Sequence, residues 1–348
     1  MERIYLDHNA TTPLRDTARA EMIAAMEVVG NPSSMHLEGR TARALVEKAR
    51  EDLASAIGAD GADVIFTSGA TEAASLALSG RVVQCANIEH DAVLECCDAS
   101  LGVDFNGMVD VSDPANAALQ CANSETGVMQ NLPKGLFFSD MTQAFGKTDI
   151  IFNCLGVHIA AVSAHKIGGP KGIGALILRP GIDLKARIKG GGQELGRRSG
   201  TENVIGIVGF GAAALAAQKE LREGSWDRVE ELRNYLEAAI VQMFPEAICV
   251  GEQGSRLQNT SCIVSPGWKA DKQVMQMDLE GFAISAGAAC SSGKVKGSRV
   301  LSAMGFDSRQ SECGIRVSLS TQTTKEHVER FLDCWAIKRK KINLRRSV

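Results

Sequence analysis

A chain of 348 residues, 45% hydrophobic and 23% charged, can bury one large core or two smaller ones and is too apolar to stay disordered. Its formal net charge of −3 and pI near 6.1 give no electrostatic reason to expect nucleic acid or an anionic membrane as a partner. The opening MERIYLDHNATTP lacks the charged and apolar regions of a signal peptide, and no stretch approaches the ~18 apolar residues of a membrane span, so a cytoplasmic protein is expected. Ten cysteines without CxxC pairs are expected to be mostly reduced core residues, with no metal site.

In chain order, helical periodicity predicts helices at 14–29, 40–57, 71–79, 203–222 and 226–243. Short apolar strands are predicted at 63–67, 82–86, 117–122, 136–140, 159–164 and 174–179. They are too continuously apolar for a one-sided sheet, which predicts an α/β fold: a mostly parallel central sheet with helices on both faces. From about residue 223 the pattern changes to a charged helix, thin strands at 247–250 and 260–264, two more at FAISAG and GIRVSLS, and a last helix from about 324. This predicts a smaller α+β layer. The basic run KRKKINLRR near the C-terminus reads as a solvated end.

The ends of the central strands carry polar residues. Strand 63–67 runs into SGATE, a glycine turn feeding a helix whose first turn holds Thr71; free N–H groups and the helix dipole there suit a phosphate. Strand 82–86 leads to His90 in NIEHDAV. Strand 136–140 ends on Asp140, with Gln143 close behind, and a carboxylate at the end of an apolar strand needs a cation or donor. Strand 159–164 runs directly into His165 and Lys166, a lysine set before helix-breaking glycines and a proline. In an open parallel sheet the ligand crevice lies outside the carboxyl ends of the strands, so Thr71, His90, Asp140 and Lys166 are expected on one edge. A lysine for a Schiff base, a carboxylate for a pyridinium nitrogen and a helix start for a phosphate are what pyridoxal 5'-phosphate demands.

The segments YLDHNATTP, NPSSMHLEGR, FTSGATEA, EHDAV, ANSETGV, DMTQAFGK, SAHKIGGPKGIGAL, GGGQELGRRSGTEN and GAACSSG, in this order, resemble those of the cysteine desulfurases. These are pyridoxal-phosphate enzymes of the class V aminotransferase group. The resemblance runs from residue 4 to about 330. It implies an aspartate aminotransferase-like fold with a seven-stranded type of sheet, a large cofactor-binding domain at 14–222, and a small domain formed by 1–13 and 223–348. It implies that Lys166 holds the cofactor, Asp140 pairs with the pyridine nitrogen, His90 stacks on the ring and Gln143 reaches the phenolic oxygen. Ala70, Thr71, Ser163 and His165 would bind the phosphate, with Thr201 contributing from the neighbouring subunit of a homodimer. Arg316 would grip the carboxylate of the L-cysteine substrate, assisted by Asn9 and with Asn123 nearby.

Cys290, among small residues in SAGAACSSGK, differs from cysteines in apolar strands and helices, such as Cys121 and Cys334; it is the expected nucleophile. The same stretch is no phosphate loop, because Gly287 to Gly293 is one residue too long and Val295 replaces the magnesium-binding Ser or Thr. The implied chemistry frees the Lys166 amine as a base for the substrate α-proton, with His90 as proton carrier at the sulfur. The Cys290 thiolate then attacks that sulfur, giving alanine and a persulfide. The persulfide would pass to an acceptor or scaffold protein, in iron–sulfur cluster assembly above all.

The chain also departs from the family pattern. Ser124 stands where the family usually has a second asparagine beside Asn123. The stretches 97–113 and 127–140 are shortened, exposing faces that a partner could cover. Two other functions stay open: a different class V reaction such as transamination, kynurenine cleavage or selenocysteine lysis, and a weakly active scaffold in sulfur-transfer assembly.

Overall fold

The structure is a computed structural model and describes residues 3–287 and 297–346; Cys290 lies outside the described residues. The first part of the chain comprises β1 (Ile4–Tyr5), α1 (Asp16–Met26), α2 (Leu37–Ile57), β2 (Asp63–Thr67), α3 (Ala70–Leu78), β3 (Gln84–Ala86), α4 (Asp91–Leu94), β4 (Asp98–Leu101), β5 (Phe138–Asp140), α5 (Phe152–Leu155), β6 (Ile159–Ser163), β7 (Gly174–Leu178) and α6 (Val204–Arg222). The second comprises α7 (Ser225–Met243), β8 (Ile248–Cys249), β9 (Thr260–Val264), α8 (Ala270–Leu279), β10 (Phe282–Ala283), β11 (Ser285–Ala286), α9 (Arg299–Ala303), α10 (Ser308–Ser311), β12 (Gly314–Ser318) and α11 (Lys325–Arg346).

One sheet runs in the order β2-β7-β6-β5. β6 and β7 are buried at every position, as strands covered on both faces must be. β5 and β6 are parallel, whereas β7 is antiparallel to both β2 and β6. The connection from β6 to β7 is too short for the crossover that a parallel pair requires, so β7 returns alongside β6. The stretch predicted as a strand at 117–122 forms no ladder; it joins its neighbours by isolated parallel bridges, Gln84 to Ala117 and Ala118 to Phe138. β3 and β4 pair in parallel beyond it. A second sheet has the antiparallel order β11-β12-β9-β8. β1 pairs in parallel with β10, which ties the N-terminal segment to the last third of the chain.

Two apolar clusters flank the first sheet. A further cluster gathers Ile4 and Leu6 with Trp226, Trp268, Phe331 and Trp335. In α6, Gly209 and Gly211 allow close helix packing: a Cβ on Gly211 would lie 2.9 Å from the Ala49 Cα of α2, and one on Gly209 would lie 2.6 Å from Met22 of α1. Contrary to the reading of the sequence, α6 is long and apolar enough to cross a membrane by length and composition. Its small apolar residues serve this contact with α1 and α2. The basic C-terminal run is likewise not simply a solvated end. It lies within α11, where Arg339 is 2% exposed and donates to Glu246 (2.9 Å) and the Pro266 carbonyl (3.0 Å).

The chain reaches GGGQELGRRSGTEN after β7, and there Glu194 and Leu195 adopt left-handed backbone angles, φ 50° and 58°. Such angles disfavour residues with a Cβ; Leu195 is exposed, and the buried contacts of Glu194 hold the turn. The Glu194 carboxylate accepts from Arg50 Nη1 (2.8 Å) and Nη2 (3.1 Å) and from the Phe66 N–H of β2 (2.8 Å). Removing one partner of a buried ion pair strands the other, so Glu194→Ala is expected to lower stability by about 3–5 kcal/mol. Urea unfolding of variant and parent checks this; a loss below about 1 kcal/mol would show that the pair does not hold this turn.

Candidate active site

A cavity of about 1480 Å³ opens at the carboxyl ends of β2, β5 and β6. Lys166 enters it from a short 3-10 turn, Ala164–Lys166, that follows β6 directly. Its Nζ donates to the main-chain carbonyls of Asn9 (2.7 Å) and Ala10 (2.9 Å). Burial, and then the nearby Arg316 guanidinium, pull its pKa down to about 8, against opposing contributions from Asp140 and Asp7. The amine is thus poised to lose a proton within reach of neutral pH. His165, beside it, shares a hydrogen bond through Nδ1 with Thr11 Oγ1 (3.1 Å); burial and the neighbouring Lys166 and Lys171 lower its pKa to about 4, so it is neutral at pH 7.

Asp140 ends β5. Its Oδ1 accepts from the Thr142 N–H (2.9 Å), which fixes the carboxylate on the cavity wall. Also at the cavity, α3 follows Gly69, an N-cap position that offers no side-chain cap. The first backbone bond closing this helix is Ala73 N–H to the Gly69 carbonyl (3.1 Å), so the amides of Ala70 and Thr71 have no intrahelical acceptor and front the cavity. An anionic group can dock there. His90 caps α4, its Nδ1 accepting from the Ala92 N–H (3.1 Å); that places the ring proton of a neutral His90 on Nε2.

The far wall carries Arg316, at the centre of β12 and 8% exposed. Its guanidinium donates to Asp7 Oδ1 (2.7 Å) and to the Ser124 carbonyl (3.0 Å). Arg316 Nε, Thr142 Oγ1 and Glu125 Oε1 are buried without a hydrogen-bond partner among the described residues, and all three residues line the cavity. Buried polar atoms are almost always paired, so these atoms are available to a polar occupant of the cavity. Burial raises the Glu125 carboxyl to about 7, although Ser298, Arg316 and Arg299 act to lower it.

Thr71, His90, Asp140 and Lys166, expected at one edge of the sheet, all line the cavity, together with Ala70, Gln143, Ser163, His165 and Arg316. Asn9 also lines it, yet its amide does not reach out. Asn9 Nδ2 donates to Thr260 Oγ1 (2.8 Å) and the Ser124 carbonyl (3.2 Å), and Oδ1 accepts from Lys147 Nζ (2.9 Å) and Asn259 Nδ2 (3.0 Å). The group of Asn9 that touches the cavity machinery is its backbone carbonyl. Asn123 is absent from the lining. Its Oδ1 accepts from the amides of Glu125 (2.9 Å) and Thr126 (2.8 Å), and Nδ2 donates to the Ile88 carbonyl (3.0 Å), so it shapes the turn that presents Ser124. Gly127 completes that turn at φ 76°, and a Cβ there would lie 2.8 Å from Thr260. Thr201 is exposed and stands outside the lining of its own chain.

Four residues that the sequence reading left without a role take part: Asp7, Glu125, Thr142 and Lys147. Each lies inside a motif already singled out, YLDHNATTP, ANSETGV or DMTQAFGK. The signal was a polar residue within an otherwise apolar or turn-forming context, which alone does not say which way a side chain faces.

The class-V aminotransferase family pattern matches residues 4–98 and 113–331. The chain is 37% identical over 370 residues to a cysteine desulfurase of Cereibacter sphaeroides, covering 96% of this chain and 95% of that protein. It is 36% identical over 366 residues to the cysteine desulfurase IscS of Dictyoglomus turgidum, covering 95% and 93%. The structure resembles a solved NifS-like protein of Rickettsia africae with a TM-score of 0.87 and 31% identity, over 98% of this chain and 99% of that one. With the family pattern spanning most of its length and such relatives matched nearly end to end, the chain belongs to the class-V aminotransferase family and, within it, to the cysteine desulfurases.

Proposed function

We propose that the chain removes sulfur from L-cysteine with pyridoxal 5'-phosphate as cofactor, forming L-alanine and a persulfide on Cys290. The observation that carries this reading is the meeting of the Lys166 amine, the Asp140 carboxylate, the uncapped start of α3 and the Arg316 guanidinium around one cavity. That set fits the cofactor. The amides of Ala70 and Thr71, with Ser163 and His165, would hold its phosphate, Asp140 its pyridine nitrogen, Gln143 its phenolic oxygen, and His90 the face of its ring. When bound, it supplies an electrophilic carbon for amines and a ring that accepts electrons.

The chain's own groups do the rest. Arg316 would orient the substrate through its carboxylate, since a planar fork matches that group in two bonds; of its five N–H groups Asp7 and the Ser124 carbonyl take one each, and Nε, with no acceptor among the described residues, is among those left for the substrate. Lys166 takes the proton from the substrate α-carbon, a role suited to an amine whose pKa burial lowers to about 8. His90 Nε2 can hand a proton to the departing carbon or sulfur. The Cys290 thiolate forms an S–S bond to the substrate sulfur as the C–S bond breaks. The electron pair of that bond stays with the carbon, which takes up the proton that His90 supplies and leaves as the methyl group of alanine.

A homodimer with Thr201 reaching the partner's phosphate site, and an acceptor or scaffold protein for the persulfide, complete the proposal. So do a seven-stranded central sheet continued through residues 117–122 and the division into 14–222 and 1–13 with 223–348. The bridges to Ala117 and Ala118 support the sheet. The cluster of Ile4 and Leu6 with Trp335 supports the division, while Cys262 and Leu301 join the other core.

Cysteine and a reductant added to the protein should give sulfide and alanine in equal yield, in a reaction that Lys166→Ala abolishes and Cys290→Ala stops at the sulfur step. Alanine release unchanged in Cys290→Ala would remove the persulfide from the scheme. Pyruvate or an amino-group acceptor product in place of alanine would indicate another class V reaction. In the cofactor-free chain, labelling of Lys166 by acetic anhydride, read by peptide mapping, is expected to be half-maximal near the pKa of about 8. An ordinary lysine would reach that point near ~10.4, and such a profile would deny Lys166 its poised amine.

A further inference from the structure

Lys147 is a buried lysine beside the cavity. It is 2% exposed, and its Nζ donates to Gln143 Oε1 (2.8 Å) and to Asn9 Oδ1 (2.9 Å). Both acceptors are amide oxygens; no carboxylate pairs with it among the described residues. The ionisable groups it faces are Lys166 and Arg316, together with His8, which burial and Lys147 hold near pKa 4. A buried ammonium without an anion is severely disfavoured.

The two acceptors explain the placement. The amide orientation of Gln143 is set by which end meets Lys147. With Oε1 accepting from Nζ, Nε2 must be the other end, and it donates one proton to the Asn9 carbonyl (2.9 Å), leaving the second for the cavity that Gln143 lines. Asn9 is fixed in the same way. Its Oδ1 faces Lys147, its Nδ2 is spent on Thr260 and Ser124, and its main-chain carbonyl is thereby directed at Lys166. We propose that Lys147 is a positioning residue, whose amine fixes the Gln143 carboxamide with its N–H toward the cavity and holds the Asn9 carbonyl on the Lys166 amine.

Two acceptors match the two protons of a neutral amine, whereas an ammonium would bury a third with no partner. Burial, then the charges of Lys166 and Arg316, drive the Lys147 pKa well below its usual value. Lys147 therefore serves as a neutral donor, which an arginine could not imitate, being always charged.

The test has two arms, and only the second rests on the cavity being a pyridoxal-phosphate site. In the first, unfolding of the full chain is followed across about pH 7–10 for the parent and Lys147→Met. A lysine neutral in the fold and protonated when unfolded makes the unfolded state bind more protons. The parent should then gain stability relative to the variant by up to about tenfold in the unfolding constant per pH unit. A pH-independent difference would mean that Lys147 is charged in the fold and would overturn the assignment. In the second arm, the absorbance titration of the bound cofactor is compared for Lys147→Met, Gln143→Ala and the double variant. If Lys147 works in part through Gln143, either single change shifts the titration and the double shifts it by less than the two singles together. Additive shifts, or no shift in Lys147→Met, would refute the positioning role; Lys147→Gln, which keeps a neutral donor, should restore part of the parent spectrum. A parent that forms no chromophore would refute the cofactor reading and leave the first arm standing.

Discussion

The bond from the Lys166 amine to the Asn9 carbonyl, 2.7 Å, is the contact on which the arrangement of the site depends. Lys166 sits at the end of a buried strand of the first sheet, while Asn9 follows β1, which pairs with β10 far along the chain. Asn9 is also bonded by Ser318 of β12 and by Asn259 and Thr260 at the start of β9. One residue thus joins the N-terminal segment, the first sheet and the second sheet at a point where the reactive amine stands. Bonds in such a buried network reinforce one another, and each becomes expensive to break alone. The N-terminal segment is therefore a working part of the cavity wall rather than a loose end.

That network also decides where flexibility is absent. The carbonyls of Asn9 and Ala10 hold Lys166, the amide of Thr142 holds Asp140, and Asn123 holds the turn that carries Ser124. Each functional group is aimed by a neighbour that is itself bonded, and a site with that support keeps its geometry without reorganising during a reaction. Ser124 contributes through its backbone: its carbonyl takes bonds from Asn9 and from Arg316. The shorter side chain at this position leaves those two bonds intact, so the departure from the family pattern falls on the space in the cavity rather than on its frame.

The strand ends were legible in the sequence because they violate the expectations of packing. Lys166 among glycines, Asp140 closing an apolar run and Thr71 opening a helix each need a reason outside the core. Topology was less legible. Nothing in GALIL distinguishes a strand that runs parallel from β7, which returns antiparallel; only the length of the preceding connection does. Side-chain direction was the least legible. Asn9 was expected to face the substrate and instead spends its amide on Ser124, Thr260, Asn259 and Lys147. Asn123 turns into its own loop. In irregular segments neither a period of 2 nor of 3.6 governs facing, so sequence position alone does not settle it.

Charge balance explains why so many ionisable groups can share one wall. Two positive groups, Lys166 and Arg316, repel each other, and burial penalises the charge on Lys166. Asp7 pairs with Arg316 at 2.7 Å, and Asp140 and Asp7 both favour the protonated form of Lys166. The groups deeper in the wall respond by shedding charge: burial holds His8 and His165 near pKa 4, lifts Glu125 to about 7, and drives the Lys147 amine toward its neutral form. Binding an anion at the start of α3 and a carboxylate at Arg316 would add negative charge to this wall. The same groups are then drawn toward their protonated states. With Glu125 near 7 and Lys166 near 8, the cavity can absorb that charge with small proton shifts, which a wall of permanently charged side chains could do only by moving.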